Sequence, residues 1–147
     1  MPSFAHTETV AVAPERVFAI IDDFDRTPEW LTRCTGIDKL TEGPNHVGTA
    51  LRYHYQDGRR TGTMAGDVAA REQDRLLTLH FVDKITDVTV DFRLAPMGEE
   101  TSLTHEITIV TKGFGKLFTP MIKRALPRQT LDAMANLKAL AESEAAA

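Results

Sequence analysis

The chain has 147 residues, of which 42% are hydrophobic and 26% are charged, a composition typical of one soluble globular domain. The formal net charge of -4 at pH 7 gives no reason to expect a nucleic-acid partner, and no window approaches the roughly 20 apolar residues of a membrane span. The N-terminal residues lack the basic and apolar stretches of an export signal, so we expect a cytoplasmic protein with no stable membrane insertion.

The N-terminal part predicts one strand and two short helices, beginning with the period-two alternation of residues 4–12. Pro14 suits the first position of a helix, where its missing N–H costs nothing. The apolar stripe of that helix, at i, i+3, i+4 and i+7, is Val17, Ile20, Ile21 and Phe24. A second short helix is predicted over residues 28–33, with the only tryptophan, Trp30, on it. Residues 13–31 are therefore expected to plug one end of a sheet.

Six further strands are predicted, because period-two alternation returns after residue 35 and is interrupted by short turn signals. They are expected over residues 36–41, 51–55, 60–71, 77–81, 88–94 and 103–109. Asp57-Gly58 is a strong hairpin signal, since both residues tolerate a positive φ. Consecutive strands that are joined by tight turns favour an antiparallel meander with one hidden face.

The C-terminal part switches to helical periodicity over residues 113–143. A helix is predicted from near residue 115 to residue 142, bent at Pro127, with residues 144–147 as a frayed tail. This helix is the only predicted element long enough to cover the hidden face of the sheet. We therefore expect a single α+β domain over residues 1–147, in which a seven-stranded sheet packs against the C-terminal helix.

Several segments, in this order along the chain, resemble one known superfamily. Residues 10–31, VAVAPERVFAIIDDFDRTPEWL, are similar to its N-terminal pattern of strand, Ala-Pro-x-x-Val-Phe, acidic turn and Pro-x-Trp. The segments VGTALRY, GDVAAREQDRLLTLHF and EETSLTHEITI resemble its strand blocks, and LDAMANLKALAE resembles the end of its last helix. This is the START/Bet v 1-like (SRPBCC) superfamily, and the most similar branch is the polyketide cyclase/dehydrase-like group. The resemblance implies the helix-grip fold, a curved seven-stranded antiparallel sheet wrapped around a long C-terminal helix.

The same resemblance implies a cavity between the sheet and the C-terminal helix that holds an apolar small molecule. The side chains expected to bind that ligand are Trp30, Tyr53, Tyr55, Met64, Leu79, Phe81, Val90, Phe92, Leu103, Ile107, Phe118, Ile122 and Met134. Trp30 has a second interpretation, in which it only packs the short helix onto the sheet.

Three polar residues are expected on the same hidden face. His6 and Glu8 are two apart on the first strand, and His105 lies on the last strand, which neighbours the first in the implied fold. A histidine beside a carboxylate can act as a base, so these three are the candidate catalytic residues. The alternative is a hydrogen-bonded cluster with a structural role. No HExxH or CxxC spacing supports a metal site, and we expect neither a metal nor another cofactor.

The segment that joins the last strand to the helix is both basic and apolar. Its cations are Lys112, Lys116, Lys123, Arg124 and Arg128, and its apolar residues are Phe114, Leu117, Phe118 and Ile122. Such a stretch can touch membranes or anionic ligands, or it can be a lid helix with a solvated outer face.

Two functions fit these features. The first is a non-enzymatic binder or carrier of a lipid, isoprenoid or polyketide-like compound, because the implied cavity is mostly apolar and lacks a complete catalytic set. The second is a polyketide aromatase/cyclase or dehydratase that acts on a poly-β-ketone chain, which needs an acid or base and a cation. Residues 64–67, Met-Ala-Gly-Asp, lack the inward arginine of such cyclases, and Thr27 and Cys34 replace aromatic residues of the family. We expect a monomer or weak homodimer, with the apolar small molecule as its partner.

Overall fold

The computed structural model describes residues 2–146, which contain seven strands, two α-helices and two short 3-10 helices. The strands are β1 (Ser3–Val10), β2 (Cys34–Lys39), β3 (Ala50–Asp57), β4 (Arg60–Glu72), β5 (Leu76–Val82), β6 (Thr86–Met97) and β7 (Glu100–Thr111). The helices are α1 (Pro14–Ile21), a first 3-10 helix (Phe24–Glu29), a second 3-10 helix (Gly113–Phe118) and α2 (Thr119–Ala146).

The strands form one antiparallel sheet in the order β1-β7-β6-β5-β4-β3-β2. Every neighbouring pair except β1–β7 joins strands that are consecutive in sequence, so the predicted meander is confirmed. Register shifts between Cys34 and Gly36 on β2, and between Val68 and Ala70 on β4, mark bulges that bend the strands. The predicted helix-grip fold is confirmed, with its short helices between β1 and β2 and its long C-terminal helix.

The plug between β1 and β2 forms, but its second helix begins earlier than predicted. α1 starts at Pro14, and its buried residues are Val17, Phe18, Ile20 and Ile21. The carboxylate of Asp23 then accepts a hydrogen bond from the Asp25 N–H at 3.2 Å, which caps a new 3-10 turn. That turn ends before Trp30. The prediction of a helix over residues 28–33 is wrong, because the Asp23 cap starts the helix almost directly after α1.

α2 starts later than predicted because the chain is first pinned to the β5–β6 turn. The N–H of Lys112 donates to the carbonyl oxygen of Ile85 at 2.8 Å. A Cβ at Gly115 would lie 2.2 Å from that same oxygen, so only glycine fits this close approach. From Thr119 onward α2 is continuous through Pro127, whose ring removes one N–H from the helix without ending it.

The C-terminal end of α2 is held by two contacts with the plug region. The carboxylate of Glu142 accepts a hydrogen bond from the Ala11 N–H at 2.8 Å, and Glu144 pairs with Arg26. Residues 144–146 of the predicted frayed tail lie within α2, and the last residue lies outside the described residues.

The core lies between α1, α2 and one face of the sheet, which we call the inner face. α2 contacts β1 and β7, and α1 contacts β6 and β7. Large side chains of these elements that are fully buried include Phe18, Ile21, Phe92, Leu103, Met134 and Leu137. The two α-helices therefore pack mainly against β1, β7 and β6.

Gly66 on β4 leaves no room for a methyl group. A Cβ there would lie 2.3 Å from Cδ1 of Phe81 and 2.6 Å from the carbonyl oxygen of His80. Gly66→Ala should lower the free energy of unfolding by about 1–3 kcal/mol, as overpacking does. Gly36→Ala is the matched control, since nothing lies within 4 Å of a Cβ at that position. Urea denaturation measures both variants, and equal stability would contradict the register that pairs Gly66 with Phe81.

Candidate functional site

One row of side chains crosses the inner face from the β1 edge of the sheet. His6 on β1 lies opposite His105 on β7, His105 lies opposite Phe92 on β6, and Phe92 lies opposite Leu77 on β5. Residues directly opposite on antiparallel strands have Cβ atoms about 4.5–5.5 Å apart. The register therefore brings two of the three candidate polar residues beside the apolar core.

Phe92 is the centre of an aromatic stack. The ring of His105 lies 4.3 Å from it at an interplanar angle of 21°, and the ring of Trp30 meets it edge-on at 5.7 Å and 85°. Asn136 on α2 fixes the tryptophan backbone by donating to the carbonyl oxygen of Trp30 at 3.2 Å. Contacts between aromatic rings stabilise a fold by about 0.5–1.5 kcal/mol more than the burial of their apolar surface alone. Phe92 thus joins the sheet to the plug, and Asn136 joins the plug to α2.

His105 is a buried and uncharged member of this stack. It is 3% exposed, and burial lowers its pKa to about 4, so the imidazole is neutral at pH 7. Its Nδ1 forms no hydrogen bond of good geometry within residues 2–146, although the backbone of Asp91 lies near enough to oppose the lowering of the pKa, and the indole Nε1 of Trp30 has no partner there either. A buried polar group without a partner costs about 1–3 kcal/mol. The two rings that contact Phe92 thus each carry a buried polar atom without a hydrogen bond.

His6 and Glu8 form a separate cluster at the edge of the sheet. Nε2 of His6 lies 2.6 Å from Oε2 of Glu8, and Nζ of Lys138 on α2 lies 3.4 Å from Oε1 of Glu8. The hydrogen bond with His6 is the main cause that holds the pKa of the Glu8 carboxyl below its usual value. The His6 and Glu8 side chains are 29% and 32% exposed, so the cluster is open to water.

The edge cluster lines an open groove of about 430 Å³ between β1 and α2. The other lining residues are Leu131, Ala135, Ala139 and Glu142. His105 takes no part in this groove, and no hydrogen bond joins it to His6 or Glu8 in the described part of the chain. The predicted group of three is divided because Glu8 turns towards Lys138, whereas His105 stacks on Phe92.

The apolar residues predicted to bind a ligand fall into two groups by burial. The buried group is Trp30, Met64, Leu79, Phe81, Phe92, Leu103 and Met134. The half-buried group is Tyr53, Tyr55, Val90, Ile107 and Ile122. Phe118 is 38% exposed and belongs to neither. The inner face is therefore sealed in one part and accessible in another.

The accessible part lies at the end of the sheet where β7 runs into the second 3-10 helix. Val90 pairs with Ile107 across β6 and β7, and Val88 pairs with Ile109 one step nearer that end. All four side chains are half-buried. Sequence reasoning left Val88 and Ile109 out of the candidate site, although the period-two alternation that identified Val90 and Ile107 includes them.

The described residues show no reactive thiol, no metal-binding cluster and no membrane-spanning helix. Burial raises the pKa of the Cys34 thiol to about 11, which leaves it unreactive at neutral pH, and burial also raises the pKa of Tyr53. Within residues 2–146 no three His, Cys, Asp or Glu side chains converge on a possible metal site. No helix in that range combines the length and apolar composition needed to cross a membrane.

Comparisons with known proteins place this geometry in context. The profile of a family described as polyketide cyclase / dehydrase and lipid transport matches residues 1–142. No curated protein matches the chain. A START superfamily protein from Mycobacterium smegmatis is 18% identical with a TM-score of 0.78, and the match covers 96% of this chain and 97% of that one.

Two similar structures are aromatase/cyclases by name. The Zhui aromatase/cyclase from Streptomyces sp. R1128 is 18% identical with a TM-score of 0.77, over 95% of this chain and 93% of that one. The di-domain ARO/CYC StfQ of the steffimycin biosynthetic pathway is 16% identical with a TM-score of 0.80, over 99% of this chain and 52% of that one. At these identities the likeness shows the fold alone.

The pKa of His105 predicts a loss of stability in mild acid. Its folded pKa of about 4 lies below its ordinary value of 6.5, so the unfolded chain binds more protons between these pH values. The contribution of His105 to the free energy of unfolding is full above pH 6.5 and is lost progressively as the pH falls, by up to about 3 kcal/mol near pH 4.

His105→Phe keeps a ring against Phe92 and should remove most of this acid sensitivity. Urea denaturation of both proteins at about pH 7 and about pH 4.5 measures the difference. The same loss of stability in the variant as in the natural protein would contradict a neutral, buried His105.

Proposed function

The chain belongs to the polyketide cyclase/dehydrase and lipid transport family, and from this membership we propose that it binds and carries an apolar small molecule bearing a carbonyl or hydroxyl group. The apolar part of the ligand lies along the accessible end of the inner face, against Tyr53, Val90 and Ile107. Its polar group lies beside Trp30 and His105.

The two partnerless polar atoms at Phe92 carry this proposal. The indole Nε1–H of Trp30 only donates, and a carbonyl or hydroxyl oxygen is a suitable acceptor for it. Nδ1 of a neutral imidazole donates or accepts according to its tautomer, so His105 suits either group of a ligand. A ligand oxygen that bonds either atom recovers part of the desolvation cost, about 1–3 kcal/mol for each. A purely hydrocarbon ligand recovers none of it.

Both atoms have almost no solvent-accessible surface, so a side chain has to move before a ligand can reach them. Met134 on α2 suits this role. It is 1% exposed within the same core cluster, and its unbranched thioether changes shape more easily than the surrounding branched side chains. We therefore propose that a ligand reaches Phe92 by displacing core side chains, with Met134 as the candidate.

The edge cluster has a structural role in this proposal. Glu8 accepts from His6 on its own strand and pairs with Lys138 on α2, so it ties β1 to the helix. The hydrogen bonds with His6 and Lys138 hold the pKa of the Glu8 carboxyl below its usual value, which makes it a poor base for ligand chemistry.

Cyclisation of a poly-β-ketone chain is the alternative, favoured by the names of two similar structures. It requires a base that removes a proton between two carbonyls, and His105 is the buried imidazole that a ligand would meet. A pKa of about 4 makes that imidazole a weak base at neutral pH, so binding is the better-supported function. Conversion of a synthetic triketone to an aromatic product, lost in His105→Phe, would reverse this preference.

A matched pair of ligands tests the proposed polar contact. Acetylnaphthalene and ethylnaphthalene have similar shapes and differ by one carbonyl oxygen. We expect the ketone to bind about 2–10-fold more tightly, the value of one net hydrogen bond, by isothermal titration calorimetry. Trp30→Phe should abolish this preference while both ligands still bind.

Tyr53→Phe is the control for that experiment, because it removes a polar group from the same inner face without touching Trp30. It should leave the preference for the ketone unchanged. The same affinity for both ligands in the natural protein would contradict the polar contact, and binding of neither would contradict the proposed function itself.

A further inference from the structure

The exposed charges are unevenly distributed between the two ends of the sheet, although the opposite end also carries exposed cations such as Lys39 and Arg75. In this meander the β3–β4 and β5–β6 turns and the β7–α2 connection share one end, and the other turns share the opposite end. The exposed cations at the first end are Arg59, Arg60, Lys84, Lys116, Lys123 and Arg124. The exposed acids at the opposite end include Asp23, Asp25, Glu42, Glu72, Glu99, Glu100 and Glu144. A chain of net charge -4 thus presents one basic end.

The acidic residues at the basic end are engaged in local contacts. Asp57 pairs with Arg33 at 3.1 Å, and Asp87 pairs with His80. Asp83 accepts hydrogen bonds from the N–H groups and hydroxyl of its own turn. Within residues 2–146, Lys116, Lys123 and Arg124 form no ion pair, so their charges face solvent.

Large apolar side chains protrude between these cations. Phe114 is 82% exposed, Leu117 is 77% exposed and Met121 is 59% exposed. No acidic residue occurs between Glu106 and Asp132. We call residues 112–124, which carry these side chains, the basic tip.

The basic tip is held in place rather than loosely attached. The Lys112 N–H and the close approach of Gly115 pin it to Ile85, and the hydroxyl groups of Thr111 and Thr119 lie 2.9 Å apart across its base. Phe114 and Leu117 are therefore presented outward on an anchored 3-10 turn. Protruding apolar side chains surrounded by cations suit a partner surface that is deformable and negatively charged.

We propose that the basic tip docks on an anionic lipid bilayer. Phe114 and Leu117 insert into the interfacial region, and Lys116, Lys123 and Arg124 contact the lipid phosphates. The acidic opposite end is repelled by the same surface, which orients the molecule with the tip towards the lipid. Docking places the accessible end of the inner face next to the bilayer, since β7 leads from Ile109 directly into the tip. The proposal does not depend on which small molecule the protein carries.

Vesicle sedimentation tests this proposal with the full chain. Vesicles of phosphatidylcholine with about 30% phosphatidylglycerol should bind the protein at least about 10-fold more tightly than phosphatidylcholine alone. Raising the salt concentration from about 0.1 M to about 0.5 M should weaken binding several-fold. Phe114→Ser with Leu117→Ser should weaken it at least about 10-fold, because two apolar side chains no longer leave water. Lys116→Glu with Arg124→Glu should remove the preference for the anionic lipid.

Leu40→Ser with Val47→Ser is the matched control, because these side chains are 52% and 62% exposed and lie between β2 and β3, at the opposite end. It should bind vesicles as the natural protein does. Melting temperatures confirm that each variant is folded. Absence of vesicle binding at low salt, or unchanged binding of the Phe114 and Leu117 variant, would overturn the proposal. Binding to soluble polyglutamate but not to vesicles would overturn it in favour of an acidic protein partner.

Discussion

The apolar inner face of the sheet has to be covered, and the elements available to cover it are one long helix and one short plug. α2 reaches β1 and β7, and α1 reaches β6 and β7, so the burial they provide is concentrated on one side. There Phe92 joins the sheet to Trp30 of the plug and to His105 of β7. The remaining part of the face, around Val88 and Ile109, stays half-buried. The sealed stack and the accessible end are both consequences of this uneven cover.

Much of the fold could be predicted from the sequence because its signals are local. Period-two alternation located the strands, Pro14 located the start of α1, and Asp57-Gly58 located a hairpin in which Gly58 has a φ of 63°. The errors arise where distant contacts decide. α2 continues past the predicted end at residue 142, where Glu142 and Glu144 bond to Ala11 and Arg26, and no local pattern reveals these contacts.

The candidate site was harder to predict for the same reason. Alternation correctly placed His6, Glu8 and His105 on one face, since the register pairs His6 with His105. It contained no information on how α2 crosses β1, and that crossing brings Lys138 to Glu8 and separates the edge cluster from the stack. The missing hydrogen-bond partners of Trp30 and His105 are likewise a property of packing, so sequence alone could not identify them.

We infer that the indole N–H of Trp30 donates a hydrogen bond to the polar group of a ligand. Trp30 is the only tryptophan, so nitrogen-15-labelled protein gives a single indole correlation in its NMR spectrum. Titration with acetylnaphthalene should move that proton downfield as the ligand binds, while ethylnaphthalene should not. An indole proton that keeps its position at saturating ketone, while inner-face methyl groups shift, would contradict the claim.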